Sequence, residues 1–481
     1  MRKIEEIRRD LQANQNLSRR NIEKAYGLGY IQETPVGTKN TLHGKLSYVY
    51  KCITAKIMRW LVESYFIKQR ECNLTITNVL EDYDRMHTII MEENDALRKN
   101  IAQLQVEMAE VCKKLGMSTL FEPQGKPRII QLVASLNFGD AVGNDARAIS
   151  KALREAGNIT GIFTFAIHPK IQDKDVYLIN MLPELNENDL IIYHYATADD
   201  LSDIIKEAPC KVVLRYHNVT PPIFFHGYDE VAEKATDEGL REIAELKNAI
   251  DYGMVDSEQN KKDLEQMGYQ CPISVVPILI PFKDYEQQPD SEVLKRYSDG
   301  RTNIVFVGRI VPNKKFEDVI ACFAAYKEKY DPTARLFLVG NYQETDLYYQ
   351  YLQEYIKKYE VEDVIFSGHI AFNAILAYYK IADVFLCMSE HEGFCVPLVE
   401  AMFFKIPIIA YASTAIPGTL AGSGVLVETK EPEMVAEIMN QIVGDEEYRN
   451  KILRTQAERL RDFEYERVKE KILKELDEFL T

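Results

Sequence analysis

The sequence predicts two doubly wound α/β domains facing a cleft, preceded by a basic helical region and a coiled coil. Three observations lead there. An apolar heptad runs through residues 73–116. From Arg128 onward, short apolar runs alternate with amphipathic stretches, the pattern of strands joined by crossover helices. The alternation lapses in the polar stretch "DYEQQPDSEVLKRYSDGRT" and starts afresh at Asn303, so the sheet pattern occurs twice.

The first element, 1–72, holds 14 Lys and Arg against 7 Asp and Glu, a net +7, whereas the remaining chain carries 44 against 67, a net −23. Within it, 45–70 has helical periodicity. Lys45, Lys56, Arg59 and Arg70 fall in one stripe, and Val49, Ile53, Ile57, Trp60 and Leu61 on another face. Two structures fit that pattern equally. One is an interfacial helix meeting an anionic membrane surface, the other a helix packed on protein with a solvated basic face.

In the heptad, Ile76, Tyr83, Ile90, Leu97, Leu104 and Val111 take d, and Leu80, His87, Asn94, Ile101, Met108 and Leu115 take a. Ten of these twelve are apolar or aromatic, which predicts a coiled-coil homo-oligomer. Asn94 at a suits a fixed register and a low oligomer number, and His87 a tolerated polar layer. Gly116 ends the helix, and 117–127 is a turn-rich linker.

The first α/β domain is expected over 128–285. "RIIQLVASL" reads as a buried strand, "NFGDAVG" as a loop, and "NDARAISKALREAG" as a helix capped by Asn144 and Asp145. Further strands are expected at 191–196, 211–217 and 273–280. The second domain is expected over 300–452, with strands at 303–310, 334–341, 364–370, 382–389 and 406–412, and a last helix over 453–481.

Composition excludes several classes. At −16 overall the chain is too acidic for general nucleic-acid binding, which draws its affinity from neutralised phosphates. Eight scattered cysteines without a CxxC pair suit reduced thiols in the cytoplasm. Neither a long apolar span nor a signal-peptide core is expected, and no GxxxxGK[ST] phosphate loop occurs.

Three junctions carry candidate chemistry. Gly139 and Gly143 lie between a strand and a helix, where backbone can approach an anion at a helix start, although any tight turn uses glycine. In "VGRIVPNKKFED", Arg309 and Lys314 are spaced to deliver two cations to a diphosphate, or else to face solvent. In "EHEGFCVPLVEAM", Glu392 precedes a helix and Glu400 sits within it, with Gly393 and Phe394 amides at the helix start. Two carboxylates flanking an anion site suit the hydroxyls at the two ends of a nucleotide-sugar.

"EGFCVPLVE" resembles the E-x7-E signature of retaining glycosyltransferases of the family 4 group, and "VGRIVPNKK" resembles that family's phosphate loop. The resemblance covers about 128–470 and implies the GT-B fold, two Rossmann-like domains with the donor held mainly by the second. It implies that Arg309 and Lys314 hold the diphosphate, Glu400 the ribose hydroxyls and Glu392 the transferred sugar. It places Gly143 near the phosphates and His217, in "RYHN", facing the sugar; His194 would shape the acceptor side. No cofactor or metal is implied, and we assign neither Asp82-Tyr-Asp84 nor Asp173-Lys-Asp175 to one. The chain departs from the family at "STAIPGTL", where "GG-x-PE" is common, and at "VVPILIPF", where "VPNG" is common.

The implied reaction is transfer of a hexose to a glycan or lipid-linked oligosaccharide in bacterial surface-polysaccharide synthesis, with a mannose- or rhamnose-type donor favoured. The alternatives are a synthase with a soluble acceptor, and a non-catalytic coiled-coil scaffold that binds glycan. If residues 45–70 form a membrane-surface helix, deleting 1–120 abolishes co-sedimentation with anionic liposomes and leaves donor turnover intact. A truncated chain that still sediments would refute the membrane role.

Overall fold

A computed structural model of the chain describes residues 127–137 and 139–480. The basic region 1–72 with its 45–70 stripe, the coiled coil 73–116, the linker as far as 126, and Asp82 and Asp84 lie outside the described residues. The chain divides by its internal contacts after Gly116, and both sheets belong to the unit that begins at Met117.

The first sheet contains β1 (Arg128–Leu136), β2 (Ile159–Ile167), β3 (Val176–Leu178), β4 (Leu190–Tyr195), β5 (Lys211–Tyr216), β6 (Tyr252–Val255) and β7 (Ile273–Val275). Its order is β3-β2-β1-β4-β5-β6-β7, parallel throughout. The second contains β8 (Asn303–Val307), β9 (Arg335–Val339), β10 (Val364–Phe366), β11 (Val384–Cys387), β12 (Ile408–Tyr411) and β13 (Val425–Val427). Its order is β10-β9-β8-β11-β12-β13, again parallel. In each sheet the strand order reverses beside its first strand, between β1 and β4 and between β8 and β11. Ligands of such sheets sit outside the carboxyl ends of the strands at that crevice.

Strands buried on both faces read as continuous apolar runs, so β1, β4, β8, β9 and β11 are legible in the sequence. Four others are not. β2 interrupts its run with Thr160, Gly161 and Thr164, β3 and β13 have three residues each, and β6 contains Gly253. That glycine admits β7, because a Cβ there would lie 3.0 Å from Ile273 Cγ1. The run 273–280 is a strand only as far as Val275.

Beyond Val275 the chain crosses between domains with its side chains alternating. Val276 and Leu279 enter the core of the first domain, and Ile278 and Ile280 that of the second. The polar stretch before Asn303 is part of the second domain. Its helix Ser291–Tyr297 is capped by Asp290, whose amide bonds Asn373 O at 2.9 Å. The single terminal helix expected from 453 is two helices, Glu446–Leu460 and Tyr465–Leu480, broken at Arg461–Phe463. The first stays with the second domain, where Gln456 accepts the Ile408 amide at 3.0 Å. The second sets Val468, Ile472 and Leu476, spaced by four, into the core beside Ile129, Leu190 and Val213 of the first domain.

The helix after β1 also starts earlier than expected. It spans Ala141–Glu155 with Asp140 as its cap, so Asn144 and Asp145 are interior. Asp145 instead pairs with Arg215 of β5, Nε to Oδ2 at 2.8 Å, both side chains fully buried. Arg215 also meets Asp256 at 2.9 Å and donates to the carbonyls of Val276 (2.6 Å) and Pro277 (3.1 Å), while Asp145 accepts the Leu279 amide at 2.7 Å. One buried cluster therefore ties β5, the first helix and the interdomain crossing. Arg215→Leu strands two buried carboxylates and should lower unfolding stability by about 3–5 kcal/mol in denaturant titrations. A loss below about 1 kcal/mol would contradict this role.

Candidate active site

The phosphate-side loop begins where β8 ends. Gly308 and Gly340 meet so closely that a Cβ at 340 would lie 1.8 Å from Gly308 O, which bars any side chain there. This backbone approach, unmarked in the sequence, lets Lys314 fold its stem over Gly308, where a Cβ would lie 3.1 Å from Lys314 Cδ and Cε. Lys314 Nζ then reaches Glu392 Oε1 at 2.7 Å. Burial pulls the ammonium down, but the Glu392 carboxylate and nearby thiols outweigh it, so the net shift is upward. Arg309 is exposed and pairs with no carboxylate among the described residues.

The segment from Ser389 to Cys395 is stitched from three sides. Glu390 N donates to Asn313 O and Asn313 Nδ2 to His391 O, each at 2.9 Å. Glu392 N donates to Thr414 Oγ1 at 2.9 Å, and Thr419 Oγ1 to Phe394 O at 2.6 Å. The "STAIPGTL" departure thus supplies hydroxyls that hold this loop. Asn313, Thr414 and Thr419 carry no signal in the sequence, because their roles are set by residues up to 78 positions away. The N–H groups of Gly393 and Phe394 find no protein acceptor among the described residues. Cys395, in the left-handed region at φ 69°, starts the helix Val396–Phe403, which has no side-chain cap. Uncapped amides, a helix start and a lysine converge here, which is a ready anion site. The Phe394 ring turns away, edge-on to Phe463 at 5.6 Å in the core.

The helix Ala141–Glu155 of the first domain offers no such start. Asp140 already accepts from Val142 N (3.3 Å) and Gly143 N (3.1 Å), and its charge opposes an anion. The Gly143 amide is held by Asp140 here, and a Cβ at Gly143 would meet Leu136 Cδ2 at 3.1 Å.

Glu400 lies half-buried on the helix, and both its oxygens are engaged. Tyr285 OH donates to Oε1 at 2.6 Å, and Tyr379 OH donates to Oε2. Burial raises its carboxyl above the ordinary value against the pull of both phenols. Each oxygen keeps a second lone pair that can accept from a further hydroxyl. His217 is engaged at both ring nitrogens. Its Nδ1 meets Asp256 Oδ2 at 2.9 Å and its Nε2 meets His194 Nδ1 at 3.1 Å, so neither ring nitrogen is left to face a sugar. His194 continues to Gln131 at 2.9 Å, and burial pushes it well below the usual histidine range. Asp173 and Asp175 pair with Arg147 (2.6 Å) and Arg154 (3.2 Å), a structural use of that DxD.

The domains touch at this loop. A Cβ on Gly393 would lie 2.6 Å from Asn218 Cβ and 2.8 Å from His217 O. His391 Nε2 bonds Asn218 Oδ1 at 2.6 Å, and Asn218 itself adopts φ 77°. Burial, with Lys314 nearby, outweighs the Glu392 charge and lowers His391 to about 4. The unfolded chain takes up this proton near the ordinary 6.5, so it binds more protons than the native state between pH 6.5 and 4. Stability therefore falls as pH is lowered through that window, by up to about 3 kcal/mol from this group. Denaturant midpoints at pH 7 and 4.5 should drop less in His391→Gln than in wild type; equal drops would exclude His391 as a source.

Residues 288–459 match the family Glycosyl transferases group 1. The chain is similar to N-acetyl-alpha-D-glucosaminyl L-malate synthase of Bacillus anthracis, 27% identical over 211 residues, 43% of this chain and 52% of that protein. It is also similar to the amylovoran biosynthesis glycosyltransferase AmsD of Erwinia amylovora, 26% identical, covering 32% of this chain and 44% of that protein. The matched stretches thus span about half the length of these curated relatives. Anabaena HepE, crystallised in complex with UDP and glucose, superposes with a TM-score of 0.59 and 18% identity over 73% of this chain and all of that one. Residues 288–459 thus resemble the group 1 glycosyltransferases, and the two parallel sheets share the two-domain fold of the solved structure.

Proposed function

We propose that this protein is a retaining glycosyltransferase that moves a hexose from a nucleotide-diphospho-sugar to a glycan or lipid-linked oligosaccharide in bacterial surface-polysaccharide synthesis. The carrying observation is the second-domain loop, where Lys314 and Glu392 pair at 2.7 Å beside the amides of Gly393 and Phe394, which find no protein acceptor among the described residues. The amides and Lys314 take the diphosphate, and the exposed Arg309 swings onto it. These cations neutralise the charge that develops on the leaving nucleotide diphosphate. Glu392 grips hydroxyls of the sugar, and the acceptor hydroxyl attacks the same face, passing its proton to a departing phosphate oxygen. Glu400 orients the ribose end together with Tyr285 and Tyr379. His217 acts as a positioning residue, holding with Asp256 the loop that meets Gly393.

A synthase with a soluble acceptor is the second possibility, favoured by the name of the Bacillus anthracis relative. The first experiment is a thermal-shift panel of GDP-, UDP-, dTDP- and ADP-sugars on wild type and Glu392→Gln. Saturation at 100 times Kd should stabilise the native state by about 2.7 kcal/mol. A shift with one nucleotide, smaller in the variant for its sugar form and unchanged for the bare nucleotide, supports the assignment. No shift with any of them sinks the proposal in favour of a non-catalytic scaffold.

A further inference from the structure

Two thiols lie beside the Lys314–Glu392 pair and take no part in the proposed reaction. Cys387 ends β11, and Cys395 starts the helix Val396–Phe403. Their Sγ atoms and a Glu392 carboxylate oxygen all lie within 4.8 Å of one another, and all three residues are buried. Cys387 Sγ donates to Ser389 Oγ at 3.4 Å. The other group of this kind among the described residues, Asp145 with His194 and His217, is already filled, because Arg215 and the Leu279 amide hold its carboxylate.

We infer that Cys387, Cys395 and Glu392 form a binding site for a soft divalent cation such as Zn2+ or Cd2+. Tetrahedral coordination at thiolate and carboxylate bond lengths sets neighbouring donors about 3.5–3.8 Å apart. Small side-chain rotations bring the three groups to that spacing. Charge also closes. Two thiolates and one carboxylate carry three negative charges, matched by the dication and the Lys314 ammonium. Glu392 has an oxygen for each cation, because Lys314 occupies Oε1. Binding releases two thiol protons to water, and the fourth coordination position is left to water or a ligand phosphate. Entry is from the cleft side, where the Lys314 and Glu392 side chains remain 14% and 10% exposed.

A cation held there ties down Glu392 and blocks its grip on the sugar, so the site is inhibitory. That consequence rests on the donor-site assignment; the binding itself does not.

The test titrates Cd2+ into the full chain, kept reduced with a phosphine, and follows the cadmium–thiolate charge-transfer absorbance. Wild type should take up one tight equivalent that Zn2+ displaces. Cys387→Ser and Cys395→Ser should each abolish it, while Cys322→Ser retains it. Glu392→Gln preserves the loop's shape and should weaken binding by at least about tenfold, the scale seen for partners of metal ligands. Absorbance that survives both serine variants, or a wild type that takes up no Cd2+, overturns the site. Should a serine variant misfold, the Glu392→Gln titration decides, and equal affinity with wild type overturns it. Cd2+ uptake without any nucleotide-sugar shift leaves the cation site standing and removes the donor assignment.

Discussion

Arg215 has no exposed surface, and its guanidinium is surrounded by the carboxylates of Asp145 and Asp256 and by the carbonyls of Val276 and Pro277. A charge so placed persists only when every donor finds an acceptor. Satisfying it therefore dictates where the first helix, the end of β5 and the interdomain crossing must lie. Asp256 passes the constraint on to His217, and the His217–Asn218 turn carries it across the cleft to Gly393 and His391. The position of the donor-side loop relative to the first domain thus depends on a salt bridge inside the other sheet.

The two halves share a strand order but differ at the helix that follows their first strand or their site loop. In the first half Asp140 consumes the free amides and adds a negative charge. In the second, the helix Val396–Phe403 starts from Cys395 with no cap. Electrostatics therefore favours an anion at the helix start in the second half over the helix after β1 in the first. Lys314 strengthens that bias, and its pairing with Glu392 keeps the loop near neutral until a ligand arrives. The same compact charge arrangement, with two thiols alongside, is what gives a soft cation a route to the site.

Tyrosines make the back wall of the site. Tyr285 comes from the segment just after the crossing and Tyr379 from the helix Phe372–Ile381, and both bond Glu400. Tyr285 also packs against Phe372, Phe403 and Phe404. Glu400 is thereby oriented by groups whose rings are fixed in the core, so little ordering is left for a ligand to bring about.

What the sequence determined by itself was periodic or local. Apolar runs announced the central parallel strands, their double occurrence announced two sheets, and "VGRIVPNKK" with "EGFCVPLVE" marked the loops at the ends of β8 and β11. Those signals survive because a strand buried on both faces must be apolar along its length. Tertiary structure decided the rest. Asp145 has the residue type of a cap and is a buried counter-ion, because its partner Arg215 is 70 residues away. Gly143 has the spacing of a phosphate contact, and in the fold its amide bonds Asp140 and its Cα packs on Leu136. His217 keeps its place at a strand end but loses its free nitrogens to His194 and Asp256, contributed by two other strand ends. Asn313, Thr414 and Gly340 are ordinary residues in the sequence, and only the approach of separate strand ends makes them supports of the site.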